Sequence, residues 1–203
     1  MTLLLATRNT RKAQELKRLL AGSGLSLLTL ADFPDIPAVA EDHATFRANA
    51  VKKALETSRF TILPVLADDS GLEVRTLDGT PGVRSARFAG PSASDLANNR
   101  KLLTSLAKVP GSRRQARFVC FLALAIGGRL VEVFQGVCEG AIALKPAGRT
   151  GFGYDPLFIP RGRRKTMAQL GSRFKDRLSH RARALAQFQL WLKNTTGNLY
   201  NPL

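Results

Sequence analysis

The apolar run 62–67 ends in two adjacent carboxylates, Asp68-Asp69, followed directly by Ser70-Gly71. A short apolar run bounded by polar residues reads as a buried strand. The chain must therefore deliver two like charges from the end of a core strand. Its composition sharpens the demand: 15 Asp+Glu stand against 31 Lys+Arg, a formal net charge of +16. Neighbouring carboxylates repel each other unless a cation needs them. Mg²⁺ is a suitable one, because hard divalent ions take oxygen ligands and leave room for substrate phosphates. Taken alone, the four residues read more simply as a strand-to-turn segment, with Asp and Ser bonding the local backbone and Gly supplying positive φ.

The segments around this strand define the fold class. Residues 2–6 read as a strand and 7–10 as a polar loop. A helix begins near Thr10, with Leu16, Leu19 and Leu20 at helical spacing. A second strand is expected at 25–30, a loop at 31–43, and a helix over 45–59 with Phe46, Ala50, Val51, Ala54 and Leu55 on one face. Residues 72–77 extend the central strand or begin the next, and 79–82 is a turn. A helix capped by Ser94 is expected over 94–106. Residues 117–126 and 130–136 form a hairpin through Gly127-Gly128. A further strand at 139–144, a glycine-rich loop at 147–154 and an amphipathic helix over 179–193 complete the chain. Strands and helices alternate first, and an antiparallel hairpin follows. This pattern predicts an α/β fold with a mixed, twisted sheet and flanking helices. A length of 203 residues suits a single domain, or one core with two lobes.

Several classes fall away. The longest apolar stretch, 118–126, is too short to span a membrane, and the N-terminus lacks the basic region of a signal peptide. A cytoplasmic protein is expected. Cys120 and Cys138 both sit in apolar segments and read as buried thiols in a reducing compartment. With His43 and His180 far apart, they form no familiar zinc site. The sequon Asn194-Thr195-Thr196 carries little weight without a secretory signal. The basic excess thickens after Gly151 and is densest at 161–165. Such a field attracts nucleotide phosphates or, nonspecifically, nucleic acid; it also fits a plain solvated surface.

Four clusters carry chemistry. Thr7, Arg8, Asn9, Thr10, Arg11 and Lys12 occupy a strand–loop–helix junction, where backbone N–H groups and side-chain donors suit an anion or simply cap the helix. No Walker motif is present. Glu41, Asp42, Asp68 and Asp69 form an acidic group able to share a metal and orient a water. Phe152, freed by Gly151 and Gly153 and followed by Tyr154-Asp155, is either a stacking platform for a base or a loop aromatic tucked into the core. Lys175 and Ser179-His180-Arg181 present donors suited to a carbonyl-bearing ring. Cations at the start of a helix oppose its dipole, which is mild support for a purpose.

These clusters stand in the segments LLLATRNTRKAQEL (3–16), TFRANAVKKA (45–54), ADDSGLEV (67–74), LDGTPGVRSARFAG (77–90), RQARF (114–118), GFGYDPLF (151–158) and SHRARAL (179–185). Over nearly its whole length the chain resembles the inosine triphosphate pyrophosphatase family, which hydrolyses non-standard purine nucleoside triphosphates to monophosphate and pyrophosphate with Mg²⁺. The resemblance implies a sheet with two lobes around a central cleft, and a homodimer. It implies that Thr7, Asn9, Lys12 and Lys53 hold the phosphates, with Arg8, Thr10 and Arg11 beside them. Asp69 would be the metal-bound general base, Glu41 and Asp68 further metal or water ligands, and Ser70 a substrate contact. Phe152 would stack on the base, framed by Gly153, Tyr154, Asp155, Lys175, His180 and Arg181. Lys175 and Arg181 would meet the six-position oxygen of hypoxanthine or xanthine and leave the adenine amino group without an acceptor.

The chain departs from the family by losing acids and gaining cations: Arg8, Arg11, Arg47, Ala48, Arg75, Gln169 and Arg173 stand where relatives often carry acidic, small or neutral residues. Two competing readings are a non-catalytic nucleic-acid-binding protein on the same scaffold, and a related pyrophosphatase acting on modified pyrimidine nucleotides.

Overall fold

The computed structural model describes residues 1–195; Thr196 of the sequon lies outside them. One six-stranded sheet runs through the molecule in the order β2-β1-β3-β4-β5-β6. Its strands are β1 (Thr2–Leu5), β2 (Ser26–Thr29), β3 (Val65–Val74), β4 (Gln115–Ile126), β5 (Arg129–Ile142) and β6 (Phe158–Pro160). β1 pairs parallel with β2 and β3, and all later pairings are antiparallel. The expected mixed α/β architecture is what folds. Its helices are α1 (Thr10–Leu19), α2 (Phe46–Thr57), α3 (Asp95–Ser105), α4 (Met167–Leu170), α5 (Ser172–Leu178) and α6 (His180–Thr195).

Each long helix starts where its sequence supplies a cap. Asn9, Thr45 and Ser94 accept the backbone N–H of Lys12, Ala48 and Ala97, each cap contributing about 1 kcal/mol. The apolar faces then choose sides. Leu16, Leu185 and Phe188 cover one face of the sheet against Leu66, Cys120 and Leu122. Ala50 and Ala54 of α2 cover the other against Ala67 and Ala123. A third cluster around Leu72, Leu102, Phe118 and Phe158 fills the far end.

The sequence reading errs on three points. β3 does not stop at the paired carboxylates: Asp68, Asp69 and Ser70 pair in register with Leu122, Phe121 and Cys120, and the strand continues to Val74. The strand-to-turn reading of this segment is therefore wrong. The expected strands 130–136 and 139–144 are one strand, because β4 pairs with it from Arg129 to Ala141. The short β6, α4 and α5 went unseen, being too brief to show a period.

Two glycines set how closely layers approach. A Cβ at Gly136 of β5 would overlap the His180 carbonyl and crowd the Ala184 nitrogen. The missing side chain is what lets α6 lie down on the sheet. At Gly71 a Cβ would collide with Ser85 and Phe46, so this glycine admits the 79–88 segment against β3.

Candidate active site

Side chains alternate across a strand, so the adjacent carboxylates of β3 point to opposite faces of the sheet. Leu66, Asp68 and Ser70 face α1 and α6; Ala67, Asp69 and Gly71 face α2. Asp68 and Asp69 thus point to opposite faces, yet Glu41, Asp68 and Asp69 all feel the charges of Lys12 and Lys53, and Glu41 and Asp68 both bear on Asp69.

On the α6 face Asp68 is buried and saturated. Its Oδ1 meets Lys12 Nζ at 2.6 Å and accepts from Ser70 Oγ at 3.2 Å. Its Oδ2 accepts from Arg181 Nε at 3.1 Å and from the Cys120 thiol at 3.2 Å. Burial alone would raise the carboxyl's pKa, but Arg181, Lys12 and Lys53 overwhelm it and hold Asp68 well below the usual range. Arg181, although buried, is held in its charged form by Asp68 and Glu15. It donates further to Glu15 Oε2 at 2.9 Å and Ser70 Oγ at 2.8 Å. These bonds use three of the guanidinium's five donors, leaving two for a ligand. Burial also works against a charged Lys12, yet Asp68 and Asp69 raise its pKa. Lys175 joins the network, 2.7 Å from Asp155 and 3.5 Å from Glu15.

The α2 face differs. Asp69 Oδ1 accepts the Ser70 N–H at 3.0 Å, while Oδ2 is buried with no hydrogen-bond partner. Burial, with Glu41 and Asp68 adding to it, outweighs Lys53 and Lys12 and pushes Asp69 up to about 6. Lys53 donates to Glu41 at 2.5 Å and also to the Asp68 carbonyl oxygen. Burial opposes the Glu41 carboxylate, but Lys53 and Lys12 prevail and lower its pKa. Arg87 donates to the Glu41 carbonyl at 2.9 Å and so ties down the 31–43 loop. Asp42 turns outward to Lys52.

Among the described residues no group of three or more His, Cys, Asp or Glu forms a ready-made metal cage. Glu41 and the partnerless Asp69 oxygen nevertheless fit Mg²⁺. That ion binds through one or two carboxylates and completes its shell with waters and substrate phosphates.

The cleft end of the site is a cavity of about 210 Å³ lined by Asn9, Arg11, Lys12, Ser70, Phe152, Gly153, Tyr154, Asp155, Lys175, His180 and Arg181. Phe152 is partly buried, with Lys175 Nζ 4.2 Å and the Arg11 guanidinium 5.1 Å from its ring centre. Its amide donates to Asp155 Oδ2 at 2.9 Å. Tyr154 is buried and spends its hydroxyl on the Ser85 carbonyl at 2.9 Å, so it reaches the cavity as a wall. The His180 ring stacks on Phe118 with centroids 4.8 Å apart. Burial, then Arg181 and Lys175, lower its pKa well below the ordinary value, so the imidazole is neutral. Of the residues expected to hold phosphate, Thr7 accepts the Asn9 N–H, Asn9 caps α1, and Arg8 donates to the Ile36 carbonyl at 2.6 Å. Thr10 is exposed at the helix start.

The sequence reading missed Glu15, Asp95, Asn99 and Arg87. Glu15 was within reach: three residues after Lys12 it shares that residue's helix face. The others bond groups far away in the sequence, mostly the backbone of distant loops, which no local pattern reveals.

Residues 3–191 match the Ham1 family. The chain is 50% identical over 184 residues to the dITP/XTP pyrophosphatase of Geobacter sulfurreducens, covering 91% of this chain and 92% of that one. It is 49% identical over 185 residues to the dITP/XTP pyrophosphatase of Geobacillus kaustophilus, covering 91% of each. Among solved structures, a HAM1 protein from Coxiella burnetii superposes with a TM-score of 0.87 at 36% identity, covering 96% of this chain and 99% of that one.

Proposed function

The chain belongs to the Ham1 family, and from that premise we infer that it hydrolyses non-standard purine nucleoside triphosphates, dITP and XTP among them, to the monophosphate and pyrophosphate. The observation that carries this reading is a set of orphaned polar atoms. Glu15 Oε1, Asp69 Oδ2 and His180 Nδ1 are all buried without a hydrogen-bond partner. Buried polar groups are normally satisfied; of the five orphaned atoms among the described residues these three belong to the site, two beside Arg181 and Lys175 and one on the Lys53 face, and they support the reading of a ligand site.

In the proposed reaction a water attacks the α-phosphorus, and the bond to the oxygen bridging α- and β-phosphorus breaks. Asp69 takes the water's proton; burial has raised its affinity for one. Lys12 and Lys53 neutralise the phosphates as pyrophosphate leaves. Thr7, Asn9 and the α1 N-terminus, with Arg8, Thr10 and Arg11 beside them, hold the triphosphate. Asp69 and Glu41 would hold Mg²⁺, which supplies charge neutralisation on the triphosphate when bound. Asp68 serves as counter-ion to Lys12 and Arg181, a different role from the metal ligand first expected. Phe152 stacks on the base within walls formed by Gly153, Tyr154 and Asp155. Lys175 and the spare Arg181 donors meet the six-position oxygen, and neutral His180 offers one donor and one acceptor.

Two buried free thiols support a reducing compartment, and we place the protein in the cytoplasm. The family resemblance supports a homodimer. Among the described residues no helix is long and apolar enough to cross a membrane. The relatives lend nothing to the nucleic-acid-binding alternative.

The test is pyrophosphate release from ITP, XTP, GTP and ATP with and without Mg²⁺ at slightly alkaline pH. Fast, metal-dependent release from ITP and XTP, with little from ATP and GTP, is expected. No release from any of the four would overturn the reading.

A further inference from the structure

Phe152 has an unusual problem for a stacking platform. It stands between Gly151 (φ 81) and Gly153 (φ 63), the two residues that hold a neighbouring backbone least firmly. A ring on so loose a loop needs external fixing if it is to present one face to a base.

Asp155 holds the Phe152 amide at 2.9 Å, and α3 holds the residue that follows. Asp95 and Asn99 lie four residues apart and therefore on one face of that helix. Asp95 Oδ2 accepts the Gly153 N–H at 2.8 Å, and Asn99 Nδ2 donates to the Gly153 carbonyl at 3.0 Å. One residue of the loop is thus gripped on both its backbone polar groups by two consecutive turns of one helix. Asp95 also takes both terminal nitrogens of Arg11, whose guanidinium lies against the Phe152 ring. The carboxylate sits at the N-terminus of α3, where the helix dipole favours a negative charge.

We propose that Asp95, acting with Asn99 through the Gly153 peptide, is the positioning residue that sets the Phe152 ring for base stacking. The proposal rests on the pyrophosphatase reading above for the ring's role. Asp95 also lines the cavity, but the role assigned to it is to hold the loop and not to meet the reacting atoms.

The test is a double-mutant cycle on kcat/KM for ITP, combined with hydrogen exchange of the Phe152 and Gly153 amides. Asp95→Ala is expected to lower kcat/KM about tenfold, chiefly through KM. With Arg11→Ala present throughout, so that the cation Asp95 also holds is kept constant, the same change should cost less than about twofold in a Phe152→Ala background, because the ring it positions is gone. Asp95→Asn keeps an oxygen for the Gly153 N–H and should restore most of the loss. Amide exchange at 152–153 should quicken in Asp95→Ala and stay near the wild-type rate in Asp95→Asn. Equal losses in both backgrounds, no loss in either, or unchanged exchange would overturn the clamp. Wild-type protein that released no pyrophosphate from ITP would instead refute the reaction, and the exchange measurement would still decide the clamp.

Discussion

Asp68 and Asp69 are chemically identical neighbours on one strand, yet they occupy opposite electrostatic states. On the α6 face, Lys12 and Arg181 hold Asp68 ionised well below the usual carboxylate range. On the α2 face, burial pushes Asp69 up to about 6 and leaves one oxygen without a partner. Strand alternation alone separates them. One carboxylate anchors the cations that bind substrate, and its neighbour is freed to accept a proton. A turn at this point, as the sequence first suggests, would leave both in the same solvent and give neither role.

The sharpest way to break the comparison is to neutralise each side in turn. Asp69→Asn should cost about 10²- to 10⁴-fold in kcat, the usual loss when a general base goes, measured as pyrophosphate release from ITP. The same variant should melt no lower than wild type, and higher if anything. A rise from 3.8 to about 6 means that the ionised carboxylate works against the fold, by up to about 3 kcal/mol. Asp68→Asn should do the reverse. It leaves Arg181 buried against too little negative charge, a loss of about 3–5 kcal/mol for a broken buried pair, read as a lower denaturant midpoint.

The pH dependence of stability separates the two faces further. A raised carboxyl binds more protons in the folded state, so Asp69 makes stability fall as pH rises from 3.8 through about 6. A lowered carboxyl gives stability that is present above 3.8 and lost as pH falls through its folded value, which is the contribution of Asp68. The Asp69→Asn chain minus wild type should therefore gain stability steadily between pH 3.8 and about 6 and level off above. A flat difference across that window would remove the Asp69 side of the comparison. The smallest expected effect is at Cys120. Cys120→Ala deletes one weak thiol bond to Asp68 and should cost about 1–2 kcal/mol, with ITP turnover unchanged within about twofold.

Much of this was legible in the sequence. The alternation of strand and helix, the glycine hairpin and the Ser94 cap followed from local pattern, and the mixed sheet followed from them. The residues around the cavity were legible because their chemistry is dense: basic donors, an aromatic between two glycines, and carboxylates in an acid-poor chain. The sequence did not show that β3 continues through Ser70 to Val74, because that depends on β4 pairing alongside it. Without that continuity, the opposite facing of Asp68 and Asp69 is invisible. Gly136 was read as a strand end, when its task is to let α6 bring His180 and Arg181 onto the sheet. Asp95 and Asn99 gripping Gly153 across more than fifty residues left no local trace.

The most direct test of the two-face account is a ¹³C titration of the aspartate carboxyl groups, with Asp68→Asn and Asp69→Asn as assignments. The account predicts one carboxyl titrating near 6 that disappears in Asp69→Asn, while the signal lost in Asp68→Asn belongs to a group that stays ionised through the ordinary carboxylate range. If both signals titrate together near 3.8, or if the high one vanishes with Asp68, the division of labour between the two faces is wrong.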